Sequence, residues 1–249
     1  MSGHSKWATI RRKKEATDTK RSNMYAKLLR AVEVAAREGG GNVEANMTLA
    51  SAVEKAKSFS VPNDNIDRAI KRGAGDLGDG ARYEELSYEG YAPGGVALLI
   101  DVLTDNRNRT GQEVRHAFTR HGGSLGAQGS VAWQFARKGL IVVEKEYAPD
   151  EDALMEVAID AGAEDLRNSE SSWDIFTEPG GFKEVQRALE RAGIPVVSAE
   201  LSMIPAAAVP VAGGEAKQVL QLIEALEDLD DVQNVYANFD IPEEVMASF

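Results

Sequence analysis

Residues 140–202 read LIVVEKEYAPDEDALMEVAIDAGAEDLRNSESSWDIFTEPGGFKEVQRALERAGIPVVSAELS, and the alternation of two periodicities along them decides the fold. Leu140–Lys145 is an apolar run of strand length, and Asp150–Ala161 has the spacing of a helix. Short strands follow near Glu164–Arg167 and Trp173–Thr177. A helix over Phe182–Ala192 and a strand over Val196–Ser202 complete the series. The order is β-α-β-β-α-β, that of a ferredoxin-like domain.

The flanks repeat that order. Upstream, Val96–Val102 (VALLIDV) is a buried strand, Thr110–His121 a helix carrying Val114 and Phe118, and Val131–Phe135 a strand. Downstream, Val209–Val211 is a short strand, and Ala216–Leu226 a helix with Val219, Leu222, Ile223 and Leu226 on one face. Val232–Phe239 is a final strand. Joined across residues 140–202 these pieces spell a second β-α-β-β-α-β. One ferredoxin-like domain is therefore expected inside the middle turn of another, with Pro205–Pro210 (PAAAVP) as the return crossing.

Further out, the period is helical. Met24, Leu28, Val32 and Ala35 fall on one helix face that ends at Gly39-Gly40-Gly41. A second helix carries Leu49, Val53 and Ala56. Pro62 breaks the chain, and Asn63 or Asp64 suits the cap of a third helix with Ile66, Ala69 and Ile70, stopped at Gly73. The predicted class is α+β: a three-helix N-terminal domain followed by two ferredoxin-like α/β domains, one inserted into the other. The predicted boundaries are 1–80, 81–136 plus 206–249, and 137–205, with the GAGDLGDG stretch (73–80) as a linker.

The 249 residues include no cysteine, which excludes disulfides and thiolate metal sites and suits a reducing cytoplasm. No apolar run approaches the roughly 18 residues of a membrane span, and the basic start MSGHSKWATIRRKK lacks the apolar stretch of a signal peptide. A cytoplasmic protein without membrane partners is expected. The net charge of −12 hides a strong polarity. Residues 1–72 hold 15 Lys and Arg against 8 Asp and Glu, whereas residues 139–249 hold 6 against 24. Phosphate would be drawn to one end and repelled by the other.

The basic end carries the clearest chemical signal. Lys6, Arg11, Arg12, Lys13, Lys14, Lys20 and Arg21 lie within sixteen residues, with Trp7 among them and His4 just before. Clustered cations suit a polyphosphate, because each neutralised phosphate releases a counterion. An indole on a mobile segment suits stacking on a base; the alternative is a solvated tail with Trp7 docked on its own domain. A second basic set is TDNRNRT (104–110), followed by Arg115, His116, Arg120 and His121. There Arg107, Arg109 and backbone amides at a helix start suit a phosphate. Equally, Asn108 or Thr110 serves as a cap and the arginines pair with nearby acids.

Other constellations point to structure. GGSLGAQGS (122–130) lacks the Gly-Lys-Ser/Thr of a phosphate loop and opens no helix, so turns and close backbone approach explain it. His116 and His121 are five apart and share no helix face; Ser130 sits in no nucleophile elbow. Asp228, Asp230 and Asp231 fall between a helix and a strand, where solvation of a loop is the ordinary role. Trp133, Phe135 and Trp173 occupy strand positions and are expected in the core. No catalytic residue, metal site, cofactor or small-molecule substrate is predicted, and the oligomeric state is left open.

Several motifs together resemble the YebC family: GHSKWATI (3–10), KR (20–21), GGGN (39–42), PNDNIDRAIKRGAG (62–75), YEGYAPGG (88–95), TDNRNRT (104–110) and GGSLGAQGSVAWQF (122–135). They spread over the first 135 residues. Thr9 stands where the family pattern usually has Asn, and Ala92 where Gly is usual. The resemblance implies a helical domain followed by two α/β domains, a cytoplasmic location, DNA binding and a role in transcription regulation, with no catalytic residues. Relatives in organelles and some in bacteria act in translation at the ribosome, so ribosomal RNA is the alternative partner.

Overall fold

The computed structural model describes residues 18–75, 83–148, 150–169 and 171–248. Three helices open it: α1 (Asp18–Gly39), α2 (Met47–Ser58) and α3 (Asn63–Gly73). Leu28, Val32 and Ala35 of α1, Leu49, Val53 and Ala56 of α2, and Ile66 and Ala69 of α3 close on one apolar core. Burying a Leu, Val or Ile side chain contributes roughly 1.5–3 kcal/mol, so this small core is what holds the three helices together. Asn46 joins two of them. Its side-chain oxygen accepts from the Leu49 amide at 3.0 Å to cap α2, while its Nδ2 donates to the carbonyls of Ala35 and Gly40. The start of α3 differs from expectation. Pro62 holds the cap position with an extended ψ of 136° and no side-chain bond, and Asn63 is the first helical residue. At its far end, Gly73 lies where a Cβ would stand 2.1 Å from the Glu33 carbonyl, so only glycine lets α3 touch the α1 backbone.

The inserted unit has the predicted order: β4 (Phe135–Glu144), α5 (Glu151–Asp160), β5 (Ala163–Asn168), β6 (Ser172–Thr177), α6 (Phe182–Arg191) and β7 (Ser198–Pro205). Its antiparallel sheet runs β5-β6-β4-β7, so the first strand is central, between the third and the last. Ile141, Val143, Trp173 and Ile175 face α5 and α6, where Leu154, Val185 and Leu189 are fully buried. Gly139 lets Phe182 cross β4, since a Cβ there would stand 2.6 Å from the ring.

The outer unit consists of β1 (Glu84–Tyr91), β2 (Ala97–Thr104), α4 (Arg107–Arg120) and β3 (Ser124–Leu125) before the insertion. After it come β8 (Val209–Pro210), α7 (Gly213–Glu227), β9 (Val232–Ala237), β10 (Phe239–Asp240) and α8 (Glu243–Ser248). Its four-stranded sheet runs β3-β1-β2-β9. Here too the strand that leads into the first helix, β2, is central and the last strand flanks it. The third position, expected for Val209–Val211, is taken by β1, which pairs antiparallel with β2 from Glu84↔Thr104 to Tyr91↔Ala97. Val209–Pro210 instead pairs in parallel with Phe239–Asp240. Proline cannot donate to a ladder, so this short run suits an edge better than a sheet interior. The predicted strand Val131–Phe135 is also redistributed: Ala132–Gln134 forms a 3₁₀ turn, and only Phe135 joins a strand, as the first residue of β4. On one face of the outer sheet, Leu98, Ile100 and Val102 pack with Val114 and Phe118 of α4 and Val219, Leu222 and Leu226 of α7. Among the described residues, no helix is long and apolar enough to cross a membrane.

Candidate nucleic-acid interface

His4, Lys6, Trp7, Arg11, Arg12, Lys13 and Lys14 lie outside the described residues. Lys20 falls in the first turn of α1, and Arg21 follows, exposed. Nine residues further on, about 14 Å of helix, Arg30 meets the second basic motif.

That motif, TDNRNRT, runs from the end of β2 into α4. Asn106, not Asn108 or Thr110, caps the helix: its Oδ1 accepts from the Arg109 amide at 3.1 Å, while its own amide donates to Thr104 Oγ1 at 2.9 Å. Capping two residues before Asn108 and four before Thr110 turns Thr110 inward. The Thr104 and Thr110 hydroxyls are both fully buried and donate to Asp231 Oδ2 at 3.0 and 2.6 Å. Arg109 Nη2 adds a contact at 2.6 Å to the same oxygen and another at 2.9 Å to Asp105. Arg30 Nη1 reaches Asp231 Oδ1 at 2.8 Å and also donates to the carbonyls of Asp230 and Leu103. One turn earlier on α1, buried Lys27 donates to the Glu227 carbonyl at the end of α7. A cationic side chain at a helix C-terminus satisfies carbonyls left without intrahelical partners. Asp231, expected to be a solvated loop residue, is thus 2% exposed and joins α1, β2, α4 and the α7–β9 turn. Burial pushes its carboxyl up, but the bonds from Thr110, Arg109 and Thr104 outweigh that and hold it below the ordinary aspartate range. The same bonds from Asp231 and Asp105 raise the Arg109 guanidinium further above its already high value. Of the two arginines predicted in this motif, Arg109 is therefore spent on internal carboxylates. Arg107 is exposed, and no carboxylate among the described residues lies within ion-pair distance of it.

A second buried carboxylate shapes the glycine-rich stretch. Glu89 of β1 is 4% exposed and accepts from the amides of Gly129, Val131 and Ala132 at 2.6, 2.7 and 2.8 Å. Burial raises its carboxyl, but the three amides prevail and hold it below the ordinary glutamate value. With the Gly129, Val131 and Ala132 amides committed to one side chain, residues 132–134 turn rather than extend. The Ser130 carbonyl accepts from both Tyr91 Oη and Trp133 Nε1, at 3.0 and 3.1 Å. Trp133, expected in the core, is 76% exposed with its one polar atom tied back, whereas Trp173 and Phe135 are buried as predicted.

The helical unit also touches the inserted one through Lys183–Glu54 at 2.6 Å and Lys55–Glu200 at 3.8 Å. Close to Lys55, burial raises the Asp101 carboxyl against the opposing hydrogen bonds from Tyr236 and Asn234; burial raises Tyr236 as well. His116 is exposed on α4, five residues from His121. Among the described residues no group of three or more His, Asp or Glu side chains stands together as metal ligands would.

Sequence reasoning missed Asp231 and Glu89 because their partners are remote. Arg30 and Asp231 are 201 residues apart, and Glu89 and Val131 are 42 apart. Nothing in either local stretch marks a buried carboxylate.

The sequence pattern described as "TACO1/YebC protein N-terminal domain" matches residues 5–76, and that described as "TACO1/YebC second and third domain" matches residues 83–239. The chain belongs to the TACO1/YebC family. It is 53% identical over 246 residues to a "Probable transcriptional regulatory protein" of Syntrophus aciditrophicus (strain SB), covering 99% of this chain and 98% of that protein. It is 56% identical over 247 residues to a protein of the same name from Rubrobacter xylanophilus, with 99% and 98% covered. Among solved structures, a TACO1/YebC fold of this kind is matched by the crystal structure of a conserved hypothetical protein, Aq1575, from Aquifex aeolicus. The TM-score is 0.80 at 48% identity, covering 92% of this chain and 93% of that one.

Proposed function

We propose that this chain is a DNA-binding regulator of transcription, a cytoplasmic, non-enzymatic protein. In this reading His4, Lys6, Trp7, Arg11, Arg12, Lys13, Lys14, Lys20, Arg21 and Arg107 meet the nucleic acid. Arg109 serves by fixing the segment that carries Arg107. The observation that carries the reading is the charge polarity: 15 Lys and Arg against 8 acids in residues 1–72, and 6 against 24 in residues 139–249. A polyanion is attracted to the first part and kept off the second. The names of the relatives, probable transcriptional regulatory proteins, support the same partner. The division of labour follows three units, 1–80, 81–136 plus 206–249, and 137–205, with the first as the nucleic-acid end.

Binding to a promoter duplex and to purified ribosomes, each followed against salt concentration, tests this. The expected result is duplex binding at near-physiological salt that weakens by about one unit of log–log slope per lost contact in Lys13→Glu/Lys14→Glu. If duplex binding vanishes at that salt while ribosome binding persists, the partner is ribosomal RNA and the transcription reading falls.

A further inference from the structure

The outer face of α4 is chemically unlike the acidic part of the chain that follows it, residues 139–249. Its inner positions, Thr110, Val114, Ala117 and Phe118, are buried. Opposite them, Asn108, Gln112, Arg115 and Thr119 follow one another at spacings of four, three and four, all exposed, with exposed His116 and Arg120 beside them. Every one of these side chains offers a hydrogen-bond donor, and none is a large apolar group. The helix's one carboxylate, Glu113, is half-buried on the flank. Arg115 and Arg120, like Arg107, have no carboxylate within ion-pair distance among the described residues, while the neighbouring Arg109 is held by two.

A protein-binding helix face is expected to present aromatic or aliphatic anchors, which supply most interface energy. This face has none. From Arg107 to Arg120 these three guanidiniums, without a carboxylate partner among the described residues, span about 20 Å along the helix and are spread around it, and a DNA duplex offers one negative charge per roughly 1.7 Å of its axis. The Asp231 junction ties the first turn of α4 to Arg30 of α1, so this face has a fixed relation to the helix that carries Lys20 and Arg21 near its start.

We infer that the outer surface of α4 is a second DNA-contacting surface, with Arg115 and Arg120 on its two flanks and Arg107 at its N-terminal end reaching different phosphates while the N-terminal segment holds the same duplex. This rests on the reading that the chain binds DNA. Two contacts of unequal position explain why an acidic body carries Arg107, Arg115 and Arg120 without carboxylate partners among the described residues.

The test measures the affinity of the full chain for a promoter duplex against salt, for wild type, Arg107→Ala/Arg115→Ala/Arg120→Ala, the corresponding triple Lys variant, and Lys13→Glu/Lys14→Glu. The three arginines are exposed, so the Ala variant is expected to melt with the wild type. Its log–log slope should fall by about 2–3 units and its affinity by at least about tenfold, while the Lys variant keeps the wild-type slope. A wild-type slope in the Ala variant, alongside a reduced one in Lys13→Glu/Lys14→Glu, overturns the α4 surface and leaves DNA binding intact. If wild type shows no salt-dependent duplex binding, both fall together. Loss of ribosome binding in the Ala variant with duplex binding unchanged overturns DNA as the occupant.

Discussion

Asp231 and Glu89 are both buried carboxylates in the outer unit, both are held below their ordinary pKa, and they are satisfied in opposite ways. Glu89 takes three backbone amides from a loop that begins 40 residues after it, all within one unit. Asp231 takes two hydroxyls and two guanidiniums, one of them from α1, 201 residues earlier. The first arrangement sets the shape of a loop. The second sets the position of one unit on another. A buried charge does whatever its partners are attached to, so the origin of the donors, rather than the strength of the bonds, separates the two roles.

Removing each carboxylate breaks the comparison most directly. Asp231→Ala removes the carboxylate shared by Arg30, Arg109 and two buried hydroxyls, leaving Arg109 only Asp105. Leaving buried hydroxyls short of an acceptor costs about 1–3 kcal/mol, and the partly exposed guanidiniums rehydrate. Calorimetry should show a lowered midpoint and a helical unit that melts apart from the rest; a single unshifted transition would refute the junction. Glu89→Gln keeps the shape but leaves at least one of the three amides with a poorer acceptor, at a cost of about 1–3 kcal/mol. The expected signature is local: faster proteolysis within 126–134 and a changed Trp133 emission, with the helical unit still docked. A smaller, graded effect comes from acid. Because the folded chain holds both carboxyls below their unfolded values, the unfolded chain binds more protons at low pH. Their stabilisation is complete above about pH 4.5 and is lost as the pH falls through the ordinary range near 4 toward the lower folded values. Asp101 runs the other way, since its folded carboxyl is raised, and its cost is relieved as the pH falls through that raised value. Urea titrations between pH 3 and 7 should therefore give a shallower acid slope for Glu89→Gln and a steeper one for Asp101→Asn.

The same contrast explains what could be read from the sequence. Helices and strands with their own apolar period were legible: Leu28, Val32 and Ala35 on α1, Val219, Leu222 and Leu226 on α7, and the whole inserted β-α-β-β-α-β series. The nesting was legible too, because element order survives in the chain. Strand β1 was not. EELSYEGY alternates weakly and carries no β-branched residue, and it is held by pairing with the apolar β2. The 3₁₀ turn at 132–134 was hidden because VAWQF has strand-like composition, and Glu89 overrides that preference from outside the segment. At the candidate interface, clustered cations were visible, but which of them are already neutralised was not. Arg107 and Arg109 look alike in TDNRNRT, and only the fold pairs Arg109 with Asp231 and Asp105 while giving Arg107 no carboxylate among the described residues.

The crossing at Phe135 and Pro205 has a consequence for how the molecule comes into being. These two residues are paired neighbours at the start of β4 and the end of β7, and the Ala206 amide reaches the Gln134 carbonyl at 2.8 Å. The guest unit thus starts and finishes at one point and is complete before its host has received β9, the strand that flanks β2. On a growing chain lengthening by about 5–20 residues per second, the host's central strand must wait several seconds for its partner with one edge open. The early hairpin of β1 with β2 protects the other edge in the meantime, which gives an unpatterned strand such as β1 a reason to precede the element it serves.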